Sequence, residues 1–327
     1  MKPQSLVFAL SLAVASTVPA QTQTVTLTTL ADRIRIDVGG KPFSNYIFAG
    51  AHRPYMYPVL ASDGTELNRE YPMTEPPGED HDHVHHRSLW FAHSSVNGID
   101  FWNEGTSGTR PKGSIVHAAT VRVEGGGIGL IRMRDNWVGP TGQLVCTDDT
   151  EIRIRGDETS RTLDYQVTLQ ALPGEALLMG DDKDGTMAMR LAQWMTMAHK
   201  YLKAELPGNG HIVTATGKTD ADAWGKRADW CDYFSTHNGQ TYGVAIFDDP
   251  RNLRHPTWWM ARDYGLFGAN PFGQHDYEGL KDRPHAGDYT IPAGGTLTLR
   301  YRFYFHLGDP AQAGVAGRYA QFLSEAK

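Results

Sequence analysis

The chain has 327 residues, with 31 Lys and Arg against 37 Asp and Glu and a formal net charge of -6. A negative balance with no long basic run argues against nucleic acid as a partner, because a phosphate backbone is held by a concentrated positive surface. Beyond Ala20 no stretch approaches the roughly 20 apolar residues that a membrane-spanning helix needs, so no membrane span is expected.

The N-terminus reads as a secretory signal peptide over residues 1–20. Lys2 supplies the positive charge, residues 6–15 are nearly all apolar, and Val18-Pro19-Ala20 offers small residues before Gln21. The expectation is a periplasmic or secreted protein cleaved after Ala20. Residues 21–327 then form a single domain of roughly 300 residues, a size within reach of a large β-sandwich or barrel. Cys146 and Cys231 fit either one disulfide in an oxidising compartment or two buried thiols.

Strand-like alternation dominates the rest of the chain. Residues 24–27, 33–38 and 43–48 alternate apolar with polar, and Gly39-Gly40 supplies a tight turn between the last two. Further alternating runs occupy residues 114–123, 128–134, 151–155, 162–172, 187–192, 243–247 and 296–305. The glycines of Glu124-Gly125-Gly126-Gly127-Ile128-Gly129 lack the GK[ST] ending and following helix of a phosphate loop, and read as a hairpin turn. Only residues 310–326 look helical, with Ala311, Val315, Tyr319 and Phe322 at helical spacing. The pattern predicts an all-β protein, a large antiparallel β-sandwich with a short C-terminal helix. It excludes a Rossmann sheet or (β/α) barrel, whose strands alternate with helices.

Chemistry-bearing residues gather in four places. The run from Glu79 to His93 holds five of the 14 histidines, His81, His83, His85, His86 and His93, beside Glu79, Asp80 and Asp82. Pro72, Pro76, Pro77 and Gly78 before it predict a loop that enters a strand, with Leu89-Trp90-Phe91 as the buried continuation. Such a loop serves metal ligation, acid/base or hydrogen-bonding work without a metal, or only a solvated surface with one or two core histidines. Gly180-Asp181-Asp182-Lys183-Asp184-Gly185 is a polar hairpin tip, or places Lys183 and Asp184 as an acid/base pair. Residues 224–233 and 250–278 interleave aromatic rings with Arg, Asp, Asn and His, a mixture that suits sugar recognition. The plainer reading is that Trp258, Trp259 and Phe267 are core and that Arg262 and Asp263 form a structural ion pair. Neither a GxSxG elbow nor a spaced Cys pair is present, which removes the ordinary serine hydrolase and structural zinc readings.

Arg53-Pro54-Tyr55, residues 80–91, Asn97-Gly98-Ile99-Asp100-Phe101-Trp102, Asp181-Asp182-Lys183-Asp184-Gly185, residues 224–233 and residues 263–272 together resemble the PmoA-like family of bacterial proteins, which carries the label methane oxygenase. The resemblance covers nearly the whole chain after Ala20. It implies a galactose-mutarotase-like β-supersandwich, which binds sugars on a concave sheet with His, Arg and carboxylates, and a setting near sugar oxidoreductase and glycan-degrading genes. Ile291-Pro292-Ala293-Gly294-Gly295 and the strand after it look like the closing strands of that fold. Val84 and Ser88 stand where the family more often has Pro and Gly, and Asp184 where it more often has Glu.

The expectation is therefore a carbohydrate-active enzyme that cleaves or rearranges a glycoside, by hydrolysis between two carboxylates or by lyase or epimerase proton transfer. His83, His85 and His86, with Lys183 and Asp184, are the catalytic candidates. His81, His83 and His85 are the candidate ligands of one divalent metal ion. Arg87 and Arg262 would anchor the substrate, Trp230, Trp258 and Tyr264 would stack on it, and Asp263, Asn270 and His275 would hydrogen-bond it. A non-catalytic carbohydrate-binding protein is the alternative, and a metal-dependent oxygenase using His81, His83 and a carboxylate is a third.

Overall fold

The computed structural model describes residues 22–201 and 204–325, so the signal peptide expected over residues 1–20 lies outside the described residues. The strands are β1 (Val25–Thr29), β2 (Arg33–Val38), β3 (Lys41–Ile47), β4 (Tyr55–Val59), β5 (Leu89–His93), β6 (Ser114–Glu124), β7 (Gly129–Val138), β8 (Leu144–Gly156), β9 (Ser160–Ala171) and β10 (Leu177–Met179). They continue as β11 (Gly185–Arg190), β12 (Met197–Tyr201), β13 (Ala204–Asn209), β14 (His211–Thr214), β15 (Trp230–His237), β16 (Gln240–Asp248), β17 (Trp258–Ala261), β18 (Leu266–Asn270), β19 (Tyr289–Ile291) and β20 (Thr296–Leu307). Among the described residues, α1 (Gln274–Glu278), α2 (Val315–Glu325) and two short 3-10 turns, Gln193–Met195 and Asp220–Ala223, complete the regular structure.

Two eight-stranded sheets carry the fold, in the orders β1-β2-β3-β4-β5-β11-β18-β17 and β14-β15-β16-β20-β9-β8-β7-β6. Neighbouring strands are antiparallel throughout. The architecture is thus the all-β sandwich expected from the alternation. In β8, Ile152 and Ile154 turn inward while Arg153 and Arg155 stay at the surface, the period-two signature of a strand with one wet face. Both sheets feed one hydrophobic core, from Ile34, Ile36 and Phe43 on the first to Leu163, Val167 and Phe303 on the second. Gly39 and Gly40, at φ +60° and +76°, form the two-residue hairpin loop that joins β2 to β3, a turn whose backbone side chains rarely adopt.

The central strands of the first sheet break this pattern. Every residue of β5, β11, β17 and β18 is buried, so both faces are covered. Residues 180–185 are not a hairpin tip: β10 pairs with β19, whereas β11 pairs with β5 and β18, so the segment crosses from one sheet to another. Cys146 and Cys231 are free, buried thiols on β8 and β15. The C-terminal helix begins at Val315, later than its sequence pattern, and packs Val315, Tyr319 and Phe322 against Phe247 and Tyr304. Among the described residues no helix is long and apolar enough to cross a membrane.

Candidate active site

Residues paired across antiparallel strands point to the same face. The register therefore places Met260, Gly268, Ala188 and Trp90 in one row across β17, β18, β11 and β5, with Leu266 and Arg190 in a parallel row. Gly268 and Ala188 put almost no side chain in the middle of the first row. A cleft of about 510 Å³ lies over this face, bounded by Met260 and Leu266, by His83, His85 and His86 from the loop entering β5, and by Lys183 and Asp184 before β11. Trp224, Arg262 and Tyr264 close the remaining side, joined by Asn103 and Ser107. A second cavity, of about 330 Å³, opens on the other sheet, but Glu151, Asp164, Asp249 and Glu325 in its lining are all paired with arginines.

Three arginines, each no more than 2% exposed, pin the histidine loop from beneath. Arg53 donates to the His85 carbonyl and, at 3.1 Å, to that of Phe101. Arg69 donates to the carbonyls of Asp80 and His83, at 3.1 and 3.0 Å, and to the Asp82 carboxylate. Arg190 donates to Asp82 Oδ1 at 2.9 Å and to His86 Nδ1 at 3.1 Å, which fixes His86 as the tautomer protonated on Nε2. Burial pulls Arg53 and Arg69 down to about 10. The loop needs this bracing because His83 and Ser88 adopt left-handed backbone, at φ +43° and +54°, which costs a non-glycine residue about 1 kcal/mol.

The rings above the arginines form a column. His83 stacks on Tyr264 and on His86, with centroids 5.4 and 4.6 Å apart and planes within 4°, and His86 stacks in turn on Trp90 at 5.4 Å. His85 meets His83 and His86 edge-on. Burial drives His85 down to about 2 and His86 well below the ordinary imidazole value, and nearby cationic groups push both the same way, so both rings are neutral. His85 Nδ1 is buried without a hydrogen-bond partner among the described residues.

His83 differs from its neighbours because its side chain is 41% exposed at the cleft. Its Nδ1 lies 2.5 Å from Asp82 Oδ2. The carboxylate accepts the Nδ1 proton, which leaves Nε2 as the lone-pair nitrogen of the neutral ring. Burial alone would raise Asp82, but its bond to His83 and the charges of Arg190 and Arg69 outweigh that and hold it well below the usual carboxylate range. Asp184 is its opposite: burial raises its carboxyl, and the Lys183 ammonium at 4.0 Å only partly offsets that.

Not every expected site residue reaches the cleft. His81 stacks on Tyr71, and among the described residues no group of three or more His, Cys, Asp or Glu is arranged to hold a metal ion, so the His81, His83 and His85 ligand set is not assembled. Arg87 spends its guanidinium on both oxygens of Glu104. Trp258 is only 2% exposed, packed inside the sheet, and Trp230 packs toward α2 on the other sheet, so neither offers a stacking face. Asn270 is a buried brace that donates to the Asp182 and Lys183 carbonyls at 2.8 and 3.1 Å. His275 binds the Leu280 carbonyl at 2.8 Å, and Asp263 sits at the surface, bonded to the Tyr264 amide at 3.0 Å. Sequence reasoning missed Arg69 and Arg190. A cation inside the apolar run of β11 was the available signal for Arg190; Arg69 gave none.

A family model described as a family of unknown function, DUF6807, matches residues 33–320. No curated protein sequence matches the chain. Among solved structures, the alpha-galactosidase of Lactobacillus brevis aligns with a TM-score of 0.37 at 8% identity, over 87% of this chain and 39% of that one. The 4-alpha-glucanotransferase of Thermococcus litoralis aligns with a TM-score of 0.24 at 12% identity, over 88% and 40%. The chain thus spans well under half the length of either protein. It belongs to the DUF6807 family, while the PmoA-like resemblance rests on its sequence motifs alone.

Proposed function

We propose that this DUF6807 member is a carbohydrate-active enzyme that cleaves or rearranges a glycoside by acid/base proton transfer. His83 Nε2 takes a proton from a sugar carbon beside a carbonyl group, and Asp184 gives one to the oxygen that leaves. The observation that carries this reading is the pairing, in one cleft, of an imidazole whose Nδ1 is held by a carboxylate at 2.5 Å with a carboxyl that burial keeps toward its protonated form. Arg262 and Lys183 stand at the same cleft to stabilise the negative charge that develops on the carbonyl oxygen.

Elimination fits these residues better than hydrolysis. Glycoside hydrolysis calls for two carboxyl groups flanking the bond. Here Asp184 is the one carboxyl among the described residues that lines the cleft, and Asp82 is tied to His83, Arg69 and Arg190. Export to the periplasm or beyond, suggested by residues 1–20, belongs to the same proposal.

The test is turnover of a panel of glycosides and their keto-oxidised forms by the wild type, His83→Gln and Asp184→Asn, with binding followed in parallel. The expected result is retained binding with turnover reduced roughly 10²–10⁴-fold in each variant. Full turnover in both variants would refute the assignment. Wild-type binding without turnover of any substrate would make the cleft a sugar-binding site instead.

A further inference from the structure

We infer that the sugar entering this cleft carries a carboxylate, and that Arg262 grips it beside the carbon from which His83 takes the proton. This rests on the acid/base reading of the cleft and adds the class of substrate.

The first observation is an arginine with nothing to do. Arg53, Arg69, Arg87 and Arg190 all donate to named carbonyls, carboxylates or an imidazole. Arg262 is half-buried at the cleft, yet among the described residues its guanidinium has neither a carboxylate partner nor a hydrogen-bond acceptor. Its Cζ lies 3.2 Å from the centroid of the Trp224 ring, so the indole supports the cation while its donors stay unspent. A planar fork of five N–H groups matches the two oxygens of a carboxylate, which it binds bidentately.

The second observation is the charge left in the cleft. His85 and His86 are neutral, the charge of Asp82 is absorbed by Arg69 and Arg190, and burial raises the Asp184 carboxyl above its ordinary value. With Lys183 lying 4.0 Å from Asp184, Arg262 is left as the cation lining the cleft without a carboxylate partner among the described residues, inside a chain whose net charge is -6. A cationic cleft in an acidic protein selects an anion locally rather than by long-range attraction. The cleft volume, about 510 Å³, suits one or two sugar rings.

The chemistry balances without an oxidant. With its carboxylate neutralised by Arg262, a uronate has an acidified C–H on the adjacent carbon. His83 Nε2 takes that proton, the electron pair forms a double bond to the next carbon, the C–O bond there breaks, and Asp184 protonates the departing oxygen. An unsaturated uronate and an alcohol result. Solvent then returns the proton of His83 to Asp184.

Calorimetric titration of matched pairs tests this: the methyl glycosides of glucose, galactose and mannose against the methyl glycosides of their uronic acids, with the wild type, Arg262→Gln and Arg262→Lys. The expected result is that at least one uronate binds about 10-fold or more tightly than its neutral counterpart. Arg262→Gln abolishes that preference and Arg262→Lys restores part of it. Equal affinity within every pair, or no binding by any uronate, overturns the inference. If neutral or keto sugars are still turned over through His83 and Asp184, the acid/base reading survives that failure. If instead a uronate binds through Arg262 but His83→Gln does not slow turnover of an oligouronide that carries a glycosidic oxygen on the carbon next to the acidified one, the anchor stands and the proton-transfer assignment falls.

Discussion

Asp82 makes one carboxylate serve three positive or proton-bearing groups: Arg69, Arg190 and His83. Burial keeps a proton off His85 and His86, and Arg69 adds to it at both rings, with Arg53 at His85 and Arg190 at His86. A histidine whose folded pKa lies below its unfolded value contributes stability that is present above about pH 6.5 and lost as pH falls. For His85, with a folded value of about 2, the loss amounts to roughly 1.4 kcal/mol per pH unit below that point. His85→Gln removes one such titration. Urea unfolding of wild type and variant between pH 4.5 and 7.5 is therefore expected to show the variant gaining on the wild type as pH falls. A difference that stays constant across the range would contradict the assignment of a neutral, buried His85.

At the scale of elements, the loop entering β5 and the strands beside it differ in how plainly the sequence announces them. β2, β7, β8 and β9 alternate because one face is wet, and alternation is what a sequence displays. β17 and β18 are buried on both faces, so Trp258-Trp259-Met260 and Leu266-Phe267-Gly268 read as aromatic clusters rather than strands. The histidine loop was legible as a loop and stood out as a candidate site, since few other roles gather imidazoles and acids so densely. Which histidine does what was not legible. That depends on Arg69 and Arg190 arriving from 14 and 108 residues away, a matter of register that spacing along the chain does not encode. Trp230 and Trp258 failed as a stacking wall for the related reason that composition does not tell a core ring from a cleft ring.

The same loop carries a strained residue that offers a direct check. Ser88 has φ +54° and a buried hydroxyl with no partner among the described residues. Ser88→Gly relieves the left-handed strain, worth about 1 to 2 kcal/mol, and removes an unpaired polar atom, against a backbone entropy cost of roughly 0.5 to 1 kcal/mol. A net gain of about 1 kcal/mol in denaturant unfolding is expected. A loss of similar size would mean that the hydroxyl has a role in holding the loop.

Across the whole molecule, the sandwich carries charge where its two sheets meet. Asp135 and Asp148 are cross-strand partners on β7 and β8, buried between the sheets with Tyr46, Tyr165 and Trp137. Burial raises both carboxyls toward neutral pH. Raised acids stabilise the fold below the ordinary carboxyl value of 3.8, and that contribution disappears as pH rises through their folded values. Asp148→Asn removes the titration while keeping an acceptor for the Trp137 Nε1 proton. Relative to wild type it should be more stable at pH 8 than at pH 5, by about 1 kcal/mol or more. An equal effect at both values would place these carboxyls in the ordinary range. The cleft on the other sheet raises its own carboxyl, Asp184, by the same burial.

The central claim is that His83 takes a proton from carbon and that Asp82 holds its imidazole ready. Deuterium wash-in measures that step directly: substrate incubated with enzyme in D₂O is recovered with its product and examined by proton magnetic resonance at the carbon beside the carbonyl or carboxylate. The wild-type product should have lost that hydrogen and carry a double bond there, His83→Gln should form no such product, and Asp184→Asn should wash deuterium into the uncleaved substrate. Wild-type product that keeps the original hydrogen at that carbon and carries no double bond would contradict the account and return the cleft to hydrolysis.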